Sequence, residues 1–340
     1  MKKVSVVIPA YNAHDTLARC LGSLVNQTLQ DIEIIVVNDA STDDTWEIMQ
    51  RCKAQFPDKM VIINSSVNTG CGGARSIGLD AATGEYIGMA DADDYVATTM
   101  YEKLYQKAVE TGADIVDSGF YQEKTDKALL TVTDELAGEL NDYKRSKLIT
   151  SSGYLVTKIF KSELFNDPPV RMQQNMAALE DLEIFIYMFL RAGSIAAVKE
   201  IFYNYCDTEG SNTKMTDRDK YYDAIYRAMK GTYDKCHEMP AYEGSRQAIE
   251  FMLTNIYSYG INRCLYNQIS KYGADKKNVK KYFDNVGSYE KDLLKKLCEL
   301  KKTVIKGTYD TNSEVMKRMS PLDIEIMKEC DMEYCESPLD

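Results

Sequence analysis

The chain has 340 residues, 44% of them hydrophobic, and a formal net charge of −11. That length and apolar content support one large or two moderate globular domains and exclude wholesale disorder. The acidic balance argues against general nucleic-acid binding, and no run of 18 or more apolar residues exists to make a transmembrane helix.

At the N-terminus, Met-Lys-Lys leads straight into residues 4–8, a run too short for a signal-peptide core. Nine cysteines are scattered without a Cys-x-x-Cys pair or a nearby histidine. An odd, unpatterned set predicts reduced thiols in a cytoplasmic protein, with neither a disulfide framework nor a zinc site.

Val4-Ser-Val-Val-Ile8 is β-branched and nearly all apolar, as a fully buried parallel strand requires, and Pro9-Ala-Tyr11-Asn12 is expected to stop it. Leu17, Cys20, Leu21, Leu24 and Val25 recur at helical spacing and predict a helix over 14–29. A second strand follows at 32–37. Asn38-Asp39-Ala-Ser41-Thr-Asp43 ends it and caps a helix carrying Trp46, Ile48 and Met49. Residues 60–63 make a third strand, 64–73 a Gly/Ser/Asn loop, 74–82 a third helix and 86–90 a fourth strand. Four strand–helix alternations predict an open, mostly parallel sheet with helices on both faces.

Ligands of such sheets bind beyond the carboxyl ends of the strands, where strand order reverses. Each of the four predicted strand ends supplies acids or amides: Asn12, then Asp39, then Asn68 with Gly70, then Asp91-Ala92-Asp93-Asp94. A buried strand cannot empty into unpaired carboxylates, because each costs several kcal/mol or surrenders its charge. Asp-x-Asp in this position suits a hard divalent cation bridging a diphosphate; the alternative is a turn or helix cap rich in Asp. The glycines at 70, 72 and 73 lack the spacing of a dinucleotide fingerprint or a P-loop. Arg75, at the start of the third helix, can pair with the acids or with a phosphate.

These motifs, in this order, resemble family 2 glycosyltransferases: Val4-Ser-Val-Val-Ile-Pro-Ala-Tyr-Asn, Val37-Asn-Asp39-Ala-Ser-Thr-Asp43, Asn68-Thr-Gly70, Ala74-Arg75-Ser-Ile-Gly78-Leu and Asp91-Ala-Asp93-Asp94. The resemblance implies an inverting, nucleotide-sugar-dependent enzyme of the GT-A fold. It implies that Asp39 bonds the base, uracil in a UDP-sugar, and that Pro9, Tyr11 and Asn12 shape the nucleotide pocket. Asn68, Gly70 and Arg75 would lie near ribose or phosphates, Asp91 and Ala92 on the ribose or sugar side, and Asp93 on Mg²⁺ or Mn²⁺. Ser76 stands where many members have Asn. More thinly, Lys158-Ile-Phe-Lys precedes the acceptor region, Glu180-Asp181 resembles the motif whose Asp is the base, and Tyr203-Asn-Tyr205 with Ser211-Asn-Thr213 resembles the closing strand and loop. No match exists for the extra histidine metal ligand of some members, since the chain's histidines are His14 and His237.

Leu182, Phe185, Ile186 and Phe189 mark a buried helix face with Glu180 and Asp181 at its first turn, where acids also simply favour the positive helix end. Spacing does not decide which of Glu180, Asp181 and Glu183 points inward; Asp181 is taken as the base. Beyond residue 214 the apolar spacing is helical throughout. Residues 271–306 hold 11 Lys against 5 Asp/Glu, and 307–340 hold 3 Lys/Arg against 9 Asp/Glu. The lysine-rich segment suits peripheral contact with anionic lipid or a lipid-pyrophosphate acceptor, or else is a solvated face balanced by the acidic tail. Tyrosines between 203 and 233 could stack on sugar rings or serve helix packing.

The expectation is therefore a GT-A domain over 1–214 (nucleotide half 1–95, acceptor half 96–214) and a mainly helical region over 215–340. The expected reaction is transfer of a sugar from a nucleotide diphosphate, UDP foremost, to a hydroxyl of a saccharide or lipid-linked saccharide in surface glycoconjugate synthesis. The rivals are a sugar-nucleotide nucleotidyltransferase, whose Gly-rich N-terminal loop is missing, and a non-catalytic nucleotide-binding subunit.

Overall fold

Every residue of the strand β1 (Val4–Ala10) is buried except Pro9, and every residue of β2 (Ile32–Asp39) is buried. Such runs need cover on both faces. The computed structural model describes residues 2–151, 153–208, 217–306 and 316–335. The chain divides into two units, Met1–Lys214 and Met215–Asp340.

In the first unit, Pro9 does not end β1 but pairs with Val37 of β2. The strand β4 (Tyr86–Met89) accompanies β1 only as far as Val7, so beyond it the missing proline N–H breaks no ladder bond on that side. The helix α1 (Leu17–Val25) buries the predicted apolar face but is shorter than 14–29. Its flanks are drawn elsewhere. The amides of Ala13 and His14 donate to the Thr45 hydroxyl (2.8 Å) and the Asp43 carboxylate (3.1 Å), while Gln27 donates to the Ala97 carbonyl (2.8 Å) and accepts from the Tyr101 amide (3.1 Å). After α2 (Thr45–Gln55) and β3 (Met60–Ser65), the helix α3 (Gly70–Ala81) starts at Gly70, inside the stretch expected to be a loop. Its glycines are demanded by close approach. A Cβ on Gly72 would lie 2.4 Å from the Gln173 carbonyl oxygen, and one on Gly78 2.4 Å from Val7 Cγ1.

The remaining elements of this unit are β5 (Tyr95–Val96), α4 (Met100–Thr111), β6 (Ile115–Gln122), β7 (Lys127–Leu129), β8 (Gly138–Glu139), α5 (Asp142–Ser151), β9 (Lys158–Lys161), α6 (Glu163–Asn166), α7 (Leu182–Arg191) and β10 (Ser194–Tyr205). One sheet runs in the order β3-β2-β1-β4-β9-β6-β10-β5, with β7 on β6 and β8 on β10. The first four strands are parallel, as expected, and their carboxyl ends share one edge. Because β9 runs antiparallel to both β4 and β6, the sheet as a whole is mixed. Lys158 is almost wholly buried in β9 and is matched by Asp117 of β6 at 2.9 Å, which ties those strands through a charge pair that cannot be left half made.

The second unit contains α8 (Arg218–Cys236), α9 (Tyr242–Cys264), α10 (Tyr266–Tyr272), α11 (Val279–Asp284), α12 (Ser288–Val304) and α13 (Pro321–Cys330), with no strand among the described residues. Tyr257 of α9 is fully buried, and its hydroxyl donates to Asp331 (2.8 Å), which also pairs with Lys301 (2.9 Å). Here the structure corrects the expectation of reduced thiols throughout: Cys298 of α12 is joined to Cys335. The two sulfurs come from separate elements, so sequence spacing carried no sign of the pair. Among the described residues, no helix is long and apolar enough to cross a membrane.

Gly78→Ala tests the closeness of α3 to β1. Alanine favours a helix by about 1 kcal/mol over glycine, yet the overlap with the rigid core residue Val7 should give a net loss of about 1–3 kcal/mol. Urea denaturation should show a lower midpoint at unchanged slope; an equal or higher midpoint would mean that the helix shifts at no cost.

Candidate active site

The carboxyl edge of β1 to β4 is laced together by side chains from successive loops. Asn12, after β1, accepts at Oδ1 from the Thr42 amide (2.8 Å) and donates its own amide to the Ser41 hydroxyl (3.0 Å), both beyond β2. Asp39, at the end of β2, is buried, and its Oδ1 accepts from both the amide and the hydroxyl of Thr69 at 2.8 Å. Asp39 Oδ2 has no hydrogen bond among the described residues, which leaves a fixed acceptor. Asn68 caps the start of α3 by accepting from the Gly70 amide (3.1 Å). Around this edge Asn12, Ala40, Asn175 and Leu179 all take positive φ, as does Gly70. Conformations that L residues resist persist only where the surroundings over-determine them.

Arg75 brings the acids together. Its guanidinium lies within α3 with the side chain only 6% exposed, and it pairs with Asp91 at 2.5 Å and Glu180 at 3.2 Å. The sequence left it a choice between acids and phosphate, and the structure shows the acid pairing. Arg75 Nε is buried without a hydrogen-bond partner, a cost of about 1–3 kcal/mol unless something supplies an acceptor. Asp181 follows Glu180 at the N-cap position of α7 and makes no side-chain capping bond. Burial first, and the charge of Glu180 next, push its pKa up to about 6, against the pull of Arg75. Glu183 is buried and accepts from Gln173 at 2.8 Å. Among the three acids of this segment, Glu180 serves Arg75 and Glu183 the preceding loop.

The turn after β4 carries the other acids. Asp93 accepts from the Thr208 hydroxyl at 2.8 Å, and its carbonyl accepts from Arg19 at 2.7 Å. Burial, then repulsion from Asp91, raises its pKa above the ordinary carboxylate value, while the Thr208 bond opposes the rise. Asp94 points the other way. It accepts from the Tyr203 hydroxyl (2.7 Å) and the Cys206 amide (2.8 Å), and the same Tyr203 oxygen accepts from the Asp91 amide (3.1 Å). Burial and the charge of Asp91 push Asp94 up to about 8. The acid turn is thus buttoned to the end of β10. Asp91 and Asp93 are only half-buried and offer carboxylate oxygens of the kind Mg²⁺ and Mn²⁺ prefer, and the under-compensated charge at Asp93 is what a hard cation would relieve. The residues fit such an ion.

Of the residues singled out in the sequence, Asp39, Asn68, Gly70 and Asn12 sit on the edge and are tied to one another's loops, and Arg75, Asp91 and the Glu180-Asp181 pair converge. Pro9 lies inside the strand, Ala92 is buried between the acids, and Tyr11 stands 52% exposed at the rim. Ser211-Asn-Thr213 lies outside the described residues. Sequence reasoning missed the partners: Glu180 for Arg75, Thr69 for Asp39, Thr208 and Arg19 for Asp93, Tyr203 for Asp94. Glu180, Thr69 and Tyr203 stand within the quoted motifs, but none of the pairings was visible.

The description "Glycosyl transferase family 2" matches residues 5–167. The chain is 29% identical over 222 residues to the uncharacterized glycosyltransferase EpsJ of Bacillus subtilis, covering 62% of this chain and 63% of that protein. It is 31% identical over 232 residues to the poly(ribitol-phosphate) beta-glucosyltransferase of Bacillus spizizenii, covering 66% of this chain but 36% of that protein. The chain therefore spans less than two thirds of the length of these two relatives. To glycosyltransferase GlyG of Streptococcus pneumoniae it is 30% identical over 224 residues, covering 61% of this chain and 72% of that protein. Among solved structures, S. aureus TarS 1–349 in complex with UDP-GlcNAc superposes with a TM-score of 0.63 at 18% identity, over 98% of this chain and 92% of that one, which shows a shared fold. The chain belongs to glycosyl transferase family 2, with the GT-A sheet on which its acids converge.

Proposed function

We propose that the first unit transfers a sugar from a nucleotide diphosphate donor, a UDP-sugar, to an acceptor hydroxyl with inversion. The observation that carries this reading is the meeting of Arg75, Asp91, Glu180 and Asp181 beside Asp93, with a buried guanidinium N–H left without an acceptor. Asp39 Oδ2 accepts from the uracil ring N–H in this reading, which the engagement of its other oxygen by Thr69 supports. Arg75 Nε offers a donor to a phosphate oxygen. Asp93 would hold the divalent cation, which when bound supplies charge to offset that developing on the departing diphosphate. The acceptor is the hydroxyl of a saccharide or lipid-linked saccharide; one relative is named for glucosylation of a polyol-phosphate polymer.

Asp181 is the general base. A base is most effective when its pKa lies near the working pH, and burial beside Glu180 moves Asp181 in that direction. It takes the hydroxyl proton as the acceptor oxygen bonds to the anomeric carbon. On the opposite face the bond to the donor phosphate breaks and UDP leaves with its electron pair. Glu180 keeps Arg75 in register, and Asp94 with Tyr203 fixes the turn that presents Asp91 and Asp93.

The pH dependence has a definite sign. Asp181 must be ionised to accept a proton, so kcat/KM should be level above its pKa of about 6 and fall about tenfold per unit below it. A pH–rate profile with no acidic limb in that region would remove Asp181 from the role of base.

Two substitutions separate chemistry from donor binding. Asp181→Asn should lower transfer by about 10²–10⁴-fold with UDP affinity unchanged. Asp93→Ala should also abolish transfer, and in calorimetry it should lose the gain in UDP affinity that Mg²⁺ or Mn²⁺ brings. Equal metal-dependent UDP affinity in wild type and Asp93→Ala would overturn the assignment at Asp93. UDP binding without transfer across a broad acceptor panel would favour a binding subunit instead.

A further inference from the structure

The helical unit carries a cleft of about 300 Å³, lined by Asp217, Asp219, Arg263, Tyr266 and Asn267, a volume at the lower end for small-molecule sites. The surrounding surface is aromatic. The guanidinium of Arg263 lies 4.6 Å from the centre of the Tyr221 ring, and the Tyr221 and Tyr259 rings are stacked at 6.4 Å with an interplanar angle of 29°. Tyr259 and Tyr266 are 59% and 63% exposed, large amounts for aromatic side chains of a helical core. Asp217 is already oriented, its carboxylate accepting from the amides of Asp219 (3.1 Å) and Lys220 (3.2 Å).

We infer that this cleft binds a neutral saccharide, one ring lying against an exposed tyrosine with its hydroxyls bonded by Asp217, Arg263 and Asn267. A pyranose presents an apolar C–H face and a rim of hydroxyls, and tyrosine offers an apolar body with a wet tip. Carboxylate, amide and guanidinium groups take paired donors and acceptors from neighbouring hydroxyls. The charge balance narrows the ligand. Among the described lining residues Asp217 and Asp219 outnumber Arg263, a balance that does not favour a nucleoside diphosphate or a phosphate-linked polymer. Among the described residues the lining also holds no aliphatic side chain to receive a lipid. This inference goes beyond the transfer reaction proposed above and does not rest on it.

The test uses the full chain and saturation-transfer NMR with cellohexaose, chitohexaose and maltohexaose as probes, with and without UDP, and a ribitol-phosphate oligomer as the anionic comparison. At least one neutral hexasaccharide should bind in the millimolar range, about −4 kcal/mol, and UDP should not displace it. Tyr266→Ala, at an exposed position, and Arg263→Ala, at a half-buried one, should each weaken it by about tenfold. Tyr266→Phe should retain it, and UDP affinity should stay unchanged in all three variants. Failure of all three hexasaccharides to bind, displacement by UDP, indifference to Tyr266→Ala, or preference for the phosphate oligomer would each overturn the inference. Transfer activity, measured separately, reports on the other unit and can succeed or fail on its own.

Discussion

The first unit depends on one buried cation. Arg75 sits inside α3 with almost no access to water, and its two carboxylate partners come from distant parts of the chain: Asp91 from the end of β4 and Glu180 from the approach to α7. A buried charge that loses one partner costs about 3–5 kcal/mol. The arginine therefore sets the distance between the nucleotide edge of the sheet and the segment that carries Asp181. It is outnumbered as well, since Asp91, Glu180 and Asp181 surround a single positive charge. Burial raises the proton affinity of Asp181, the charge of Glu180 adds to the rise, and Arg75 opposes it.

A second fastening works at the acid turn. Tyr203 is fully buried in β10 and uses its one hydroxyl twice, donating to Asp94 and accepting from the Asp91 amide. Arg19 reaches from α1 to the Asp93 carbonyl and the Cys206 thiol, and its guanidinium lies 5.1 Å over the Tyr95 ring. Together these contacts attach the turn to β10 from both sides. Asp94 is spent on structure, whereas Asp91 pairs with Arg75 and Asp93 with Thr208. Three acids in four residues look interchangeable in the sequence. Their hydrogen-bond partners make them different.

Much of this edge was legible in the sequence because it depends on local patterns. Buried parallel strands show as unbroken β-branched runs, and polar residues immediately after them mark the carboxyl ends. Asn12, Asp39, Asn68 and Asp91 were found that way. What depended on long-range encounter was not legible. Nothing near Tyr203 announces Asp94, and nothing near Thr69 announces Asp39. Local rules also failed where tertiary contact overrode them. Pro9 reads as a strand stop, yet β4 has already left that side of β1. Gly70 to Gly73 read as loop, yet they form the start of a helix, and at Gly72 another backbone passes too close for a side chain. The direction of β9 and the joining of Cys298 to Cys335 rest on partners that spacing does not encode.

The glycines of α3 then have a role that follows from the arginine. At its start the helix is held to Asp39 through Thr69, and at Gly78 it lies against Val7 of β1. Between these points, Gly72 meets the Gln173 carbonyl and the Glu180 side chain so closely that a Cβ would come within 2.4 Å and 3.2 Å of them. Glu180 can reach Arg75 only if its segment lies directly on the helix, and it lies there only because position 72 has no side chain. Glycine normally costs a helix about 1 kcal/mol relative to alanine. That cost is small beside an ion pair whose breaking leaves a buried charge unmatched. Weak helix propensity at this one place is therefore a condition of the site, and the departure from phosphate-loop spacing has a physical reason: these glycines make room for protein.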